Sequence, residues 1–288
     1  MLADRKPLPA RFLILGSASP ELLKQSSETL AGRLETVPLD GFRLSDLGVS
    51  TQSKHWLRGG FPLSYTARKE AGSFAWRKHF LQTFLERDMP QLGIRIPAVA
   101  LYRFWSMVAH YHGQIWNAAE LARAMAVNEP TVRRYLDLMT SVFMVRQLQP
   151  WHENLGKRQV KAPKVYVRDS GLLHALLGIT NPRDLEGHPK VGASWEGYAI
   201  EEIIKAIRPD EAYFWATYHG AELDLLLLKN GKRIGVECKR TDAPTLTPSM
   251  RIALSDLKLD KLYVVYPGDR TYPLADNVEA IPLWHLLT

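Results

Sequence analysis

The residues with chemistry to offer concentrate in one stretch, residues 220–240, which reads GAELDLLLLKNGKRIGVECKR. It includes the carboxylates Asp224 and Glu237 and the amine Lys239. Metal-assisted phosphodiester cleavage calls for those groups. Hard oxygen ligands hold Mg²⁺, a bound water becomes the nucleophile, and a positive side chain offsets the charge that develops on phosphate. Asn230-Gly231 is a strong two-residue turn signal, so the stretch predicts a β-hairpin. Side chains alternate along a strand. Gly235, Glu237 and Lys239 then share one face of the second strand, opposite Ile234, Val236 and Cys238. On the first strand Asp224 shares a side with Glu222, opposite Leu223, Leu225 and Leu227.

A third carboxylate lies upstream. On a helix predicted over residues 194–207, Glu196 falls in line with Ile200, Ile203 and Ile207. An acid on an apolar stripe is costly to bury alone, and a metal or a nearby lysine would account for it. Glu196, Asp224 and Glu237 are the candidate ligands for Mg²⁺ or Mn²⁺, with Asp224, Glu237 and Lys239 as the catalytic set. Glu201 and Glu202 are expected to be solvated.

Other elements must position this set. AYFWAT, ELDLLLL, RIGVECK and KLYVVY are strand candidates, so the C-terminal part is α/β. Before it, residues 116–145 predict two helices and a turn. Asn117 is a good N-cap for the first, Val127-Asn128-Glu129-Pro130 is the turn, and Val132, Leu136 and Met139 line the inner face of the second. A two-stranded ribbon follows. Helix, turn, helix and ribbon is the winged helix-turn-helix plan, in which the second helix enters the major groove. Thr131, Arg133 and Arg134 would face DNA. The ribbon carries Arg146, Lys157, Arg158, Lys161, Lys164 and Arg168 against the single acid Glu153, which suits a phosphate backbone. Such modules also serve as protein-interaction surfaces.

Further upstream, Ala75, His79, Phe80 and Phe84 recur at helical spacing, as do Leu101, Phe104, Trp105 and Val108. Residues 43–64 are loop-rich, with a short helix near 44–47. Residues 12–15 predict a buried strand, followed by a helix from Pro20. The loop at 178–192 is the clearest boundary.

The formal net charge is +7, with a sequence pI near 9.4, which fits a nucleic-acid partner, with DNA favoured. The one cysteine, Cys238, rules out an intrachain disulfide and a Cys-rich zinc site. No apolar run approaches the roughly 18 residues of a membrane span, and the start lacks signal-peptide order. The chain is expected to be soluble and cytoplasmic, with no membrane partner.

Glu196, then Asp224, then Glu237-x-Lys239 resembles the PD-(D/E)xK nuclease superfamily, with Leu223 where a proline would stand. The whole chain is similar to prokaryotic AAA-type ATPases that carry a winged helix and a C-terminal restriction-endonuclease-like domain of unknown function. The matching stretches are RFLILGSASPELL, SSETLAGR, ELARAMAVNEPTVRRYLDLM, KAPKVYVRDSGLLHALLG, SWEGYAIEEII and GAELDLLLL with GVECKR. The resemblance implies an α/β multidomain fold. Residues 1–63 would be a truncated ATPase remnant, 64–178 a helical and winged helix-turn-helix domain, and 190–288 the nuclease-like domain. Residues 13–19 would correspond to the strand and turn of the sensor region, Arg33 would lie in a typical ATPase segment, and Phe61-Pro62 would begin the connection to the later domains.

No stretch matches the phosphate loop GxxxxGK[ST], so ATP binding is not expected. The chain then reads as an N-terminally truncated member. It is a DNA-associated candidate nuclease, or a non-catalytic DNA- or protein-binding remnant. A third reading is a subunit that needs a separate ATPase partner, or that forms a homo-oligomer through an exposed strand edge.

Overall fold

The computed structural model describes residues 39–154, 156 and 159–288. The expectations at residues 12–15, at 13–19, for the helix from Pro20, and at Arg33, Lys157 and Arg158 lie outside the described residues.

The first part is helical. Short helices α1 (Leu44–Leu47), α2 (Gln52–Arg58) and α3 (Pro62–Tyr65) lead into α4 (Glu70–Thr83). A π-helical turn over Phe84–Asp88 joins α4 to α5 (Met89–Gln91). Helical spacing points to an Ala75, His79, Phe80, Phe84 stripe, but α4 buries Ser73, Arg77 and Leu81, and Ala75 and His79 are exposed. Arg77 is fully buried because its guanidinium donates to the carbonyls of Leu57, at 3.2 Å, and Gly171, at 2.9 Å. A stripe count cannot foresee a buried cation whose acceptors are backbone oxygens on other elements.

The next unit is α6 (Ala98–His110), β1 (Gln114–Ile115), α7 (Ala118–Met125), α8 (Glu129–Ser141), β2 (Val145–Leu148) and β3 (Lys164–Val167). Asn117 caps α7 by accepting from the Glu120 amide at 3.2 Å, and Asn128 caps α8 through Thr131 at 2.9 Å. Pro130 sits in the first turn of α8, where its missing N–H costs nothing. Val132, Leu136 and Met139 face inward onto Leu101, Phe104, Trp105 and Val108 of α6. The strands form an antiparallel sheet in the order β1-β3-β2.

Helices α9 (Ser170–Leu176) and α10 (Pro182–Glu186) lead to α11 (Val191–Ile207), then β4 (Glu211–Ala216), β5 (Glu222–Lys229), β6 (Lys232–Cys238), α12 (Pro248–Asp256), β7 (Lys261–Tyr266), β8 (Tyr272–Ala275), β9 (Val278–Pro282) and α13 (Leu283–Leu287). The sheet order is β4-β5-β6-β7-β9-β8, antiparallel through β4, β5 and β6, then parallel for β6-β7 and β7-β9. The closing pair β8–β9 is not among the sequence-predicted strands. Its strands are short, and Pro273 fits an edge. The sheet is apolar on both sides. Leu225, Leu227, Val236 and Val265 pack with Ile200 and Ile203 of α11, while Leu226, Leu262 and Val264 pack with Met250 and Ala253 of α12.

Strict alternation fails in β5. Tyr213 pairs with Leu226 and Trp215 with Leu223, so β5 carries one extra residue between them. This β-bulge puts Leu223 in the α12-side core with Leu226, rather than with Leu225 and Leu227. Asp224 lies in the bulge.

Helix α11 is buried on more than one side. Trp56 donates to Ser194 at 3.0 Å and Tyr166 packs in the same core, so the helical part, the three-stranded sheet and the six-stranded sheet all meet it. Among the described residues no helix is long and apolar enough to cross a membrane.

Candidate functional site

The hairpin β5–β6 turns at Asn230 and Gly231, whose φ angles are 50° and 74°, the left-handed pair that a tight hairpin turn needs. It brings Asp224 opposite Glu237, one step past the paired residues Leu225 and Val236. Asp224 is buried, and its Oδ2 accepts from the Cys238 amide at 2.9 Å. Glu237 Oε1 accepts from Lys239 Nζ at 2.7 Å, and Glu237 Oε2 is buried with no hydrogen-bond partner. Burial, reinforced by the Asp224 charge, pushes the Glu237 carboxyl up to about 8. Lys239 is half-buried. Burial lowers its pKa, but pairing with Glu237 outweighs this and raises it. Cys238 is buried in the α11-side core, and burial holds its thiol protonated.

Glu196 reaches the same place from α11. Its Oε1 accepts from the Tyr166 hydroxyl at 2.6 Å and from Lys164 Nζ at 3.2 Å. Burial, then the nearby Asp224, raises its carboxyl to about 7. The inward acid therefore has the lysine its placement calls for.

That lysine is the residue whose role the sequence reading misses. Lys164 is taken there as part of a basic ribbon facing DNA. Instead its side chain is 3% exposed, and Nζ ion-pairs with Glu196, with Glu222, and with Asp224 at 3.5 Å. Burial lowers its pKa, but the Tyr166 phenol and the carboxylates of Glu196, Asp224 and Glu222 outweigh it and hold the ammonium charged. A signal was present. Lys164-x-Tyr166 places both side chains on one face of β3, and both point to Glu196.

The donor types suit Mg²⁺, and the orphaned Glu237 oxygen is a free hard ligand. The arrangement does not fit a bound metal. Among the described residues no three His, Cys, Asp or Glu side chains are grouped so that they could hold a metal ion. The space between Glu196, Glu222 and Asp224 is taken by Lys164 Nζ.

Two more ribbon residues also depart from expectation. Arg146 and Arg168 turn inward onto Glu201. Glu201 and Glu202, expected in solvent, are 2% and 3% exposed. Glu201 is bound by both arginines, and Glu202 accepts from the Leu44 amide at 2.7 Å and from Lys205 at 3.3 Å. The reason is the position of α11, which has packed neighbours where a surface helix would have water. Arg133, Arg134 and Lys161 are exposed, and Thr131 is partly buried in the first turn of α8. Arg133 lies 3.7 Å from Glu129.

Residues 50–183 match the family model of a domain of unknown function, DUF8612, and residues 191–286 match that of another, DUF4143. The uncharacterized proteins Rv2008c of Mycobacterium tuberculosis and Mb2031c of Mycobacterium bovis are each 52% identical to this chain over 288 residues. The chain spans 65% of the length of these curated relatives. The crystal structure of protein VC1899 from Vibrio cholerae aligns with 88% of this chain and 61% of its own, at 12% identity and a TM-score of 0.23, too low to carry an argument. The chain is thus similar to uncharacterized mycobacterial proteins and carries matches to two domains of unknown function.

Proposed function

We propose that the chain is a DNA-associated protein whose C-terminal unit is of the PD-(D/E)xK type, with a candidate Mg²⁺- or Mn²⁺-dependent nuclease site. The observation that carries this is the convergence at one end of the β5–β6 hairpin. Asp224, Glu237 and Lys239 meet Glu196 there, on a helix–three strands–helix–strand order from α11 to β7. Fold alone does not set function, so the weight rests on those four side chains. The capped α7–α8 pair, with Arg133 and Arg134 exposed on α8, supports a winged-helix DNA contact. The resemblance to AAA-type ATPases with a nuclease-like C-terminal domain supplies the family context.

A non-catalytic DNA- or protein-binding role is the second reading. It is favoured by Lys164, which neutralises the acids without a metal. One experiment separates the two. The protein is incubated with single- and double-stranded DNA and RNA, with Mg²⁺ or Mn²⁺, beside Asp224→Asn and Lys239→Ala. Cleavage by the wild type that both variants lose supports the nuclease. Equal cleavage in all three, or none in any, counts against it. A salt-dependent DNA gel shift that weakens in the double variant Arg133→Ala/Arg134→Ala marks α8 as the contact.

A further inference from the structure

The ribbon β2–β3, whose basic residues suit a DNA-tracking wing, is fastened to the C-terminal sheet on both sides of its connection. Leaving β2, the chain runs beside β4. The Phe214 amide donates to the Gln149 carbonyl at 3.0 Å, and the Trp151 amide donates to the Phe214 carbonyl at 2.7 Å. Returning towards β3, the Val160 amide donates to the Ala216 carbonyl at 3.0 Å. Strand β4 stands at the end of the six-stranded sheet. An end strand presents unpaired N–H and C=O groups, and these two segments take several of them up.

Side chains hold the same contact. Gln159 Oε1 accepts from Trp215 Nε1 at 2.9 Å, and Trp215 is fully buried. Glu153 accepts from Arg233 of β6 at 2.6 Å. The Trp151 ring lies 5.1 Å from that of Tyr213 on β4 and 5.5 Å from the Arg233 guanidinium.

The ribbon's cations are engaged in the same direction. Arg146 and Arg168 pair with Glu201 of α11, and Lys164 pairs with Glu196, Glu222 and Asp224. Their side chains are 23%, 22% and 3% exposed. Among the described ribbon cations Lys161 is the exposed one. A wing that lies on phosphates must stand clear of its own protein and turn its cations outward. Helix α8 meets that requirement. Val132, Leu136 and Met139 hold its inner face, and Arg133 and Arg134 are exposed. The 3.7 Å pair of Arg133 with Glu129 lies in solvent, so it restrains the guanidinium weakly.

We infer that the ribbon is a brace and not a wing. It closes the β4 edge and ties the helix-turn-helix unit to the C-terminal sheet, and duplex DNA meets the outward face of α8 without phosphate contacts from Arg146, Lys164 or Arg168. The inference rests on the reading of α8 as a DNA contact. Its consequence is that a duplex on α8 stands in a fixed position relative to the C-terminal unit.

The test uses the full chain and a mixed-sequence DNA duplex, with affinity measured across a salt series. Each phosphate contact contributes about 0.9 to the slope of log affinity against log salt. Arg133→Ala/Arg134→Ala should weaken binding and make the slope shallower by about 2. Arg168→Gln should leave the slope unchanged. An unchanged slope in the double variant, or one shallower by about 1 in Arg168→Gln, sinks the inference while DNA association stands. If no duplex binds the wild type, the DNA reading of α8 falls and takes the inference with it.

Amide hydrogen exchange on the wild type guards against a variant that does not fold. Trp151 and Val160 should be protected in the free protein and unchanged by duplex, while residues 129–135 slow when duplex binds. Exchange at the rate of free amides at Trp151 and Val160, or slowing there when duplex is added, overturns the proposal.

Discussion

Glu201→Gln should be among the most damaging single substitutions outside the acidic cluster. Glu201 projects from α11 to Arg146, on β2, and to Arg168, just after β3, so it ties the three-stranded sheet to the helix. The arginines are 23% and 22% exposed and Glu201 is 2% exposed, so water screens the pairs weakly. Burial raises the Glu201 carboxyl, but Arg146 and then Arg168 overcome this and hold it at about 2, against an ordinary 4.5. At ~1.4 kcal/mol per pH unit, that difference corresponds to ~3 kcal/mol of stability at neutral pH. Breaking a buried pair independently suggests ~3–5 kcal/mol, because the partners are left uncompensated.

The sign is set by the lowered pKa. The stabilisation is complete above the unfolded value, near 4.5, and is lost as pH falls through the folded value of about 2. Urea unfolding of wild type and Glu201→Gln, followed by tryptophan fluorescence, should give a constant gap of ~3 kcal/mol from pH 8 to about 5, closing towards pH 2. A gap below ~1 kcal/mol at neutral pH, the size of an exposed pair, would refute the reasoning, as would a gap that persists in acid.

Two further outcomes follow from the core around α11. His174 is fully buried, held between the Leu57 carbonyl at 2.9 Å and Ser194 Oγ at 2.7 Å, and burial lowers its pKa to about 3, as it does for His112. Unfolded histidines take up protons below ~6.5 while these two do not. Each histidine should therefore cost stability as pH drops from there towards 3, by up to ~1.4 kcal/mol per pH unit, against the opposite contribution of Glu196 and Glu237, whose raised carboxyls take up protons in the folded state. A stability difference between wild type and His174→Gln that is the same at pH 7 and 5 would exclude this. Gly197→Ala should destabilise the chain, because a Cβ there would stand 2.1 Å from His112 Nε2 and 2.6 Å from Cε1, on a buried ring that the Val167 amide pins at 3.0 Å. The overpacking cost of about 1–3 kcal/mol exceeds the ~1 kcal/mol of helix propensity gained, and a midpoint temperature at or above wild type would show the ring can move.

Much of the framework was legible because it depends on neighbours in the chain. Asn230-Gly231 adopts the left-handed turn its residue types favour, Asn117 caps its helix, and Pro130 opens α8. The Glu237-x-Lys239 spacing puts amine and carboxylate 2.7 Å apart with no outside help. Helical phase alone turns Glu196 inward. Alternation failed in β5, where one inserted residue at Asp224 moves Leu223 to the other core. Backbone pairing with β4 sets that bulge, and no local residue type announces it.

The sequence by itself determined which acids could gather and the local turns and caps that bring Asp224 and Glu237 together. Only the tertiary structure decided what neutralises them. Lys164, Arg146 and Arg168 read alike as basic ribbon residues, yet one enters the acidic cluster and two bind Glu201. Local pattern sets the direction of a side chain from its own backbone. The partner it finds depends on which distant element packs there, and for a buried charge that partner settles the chemistry.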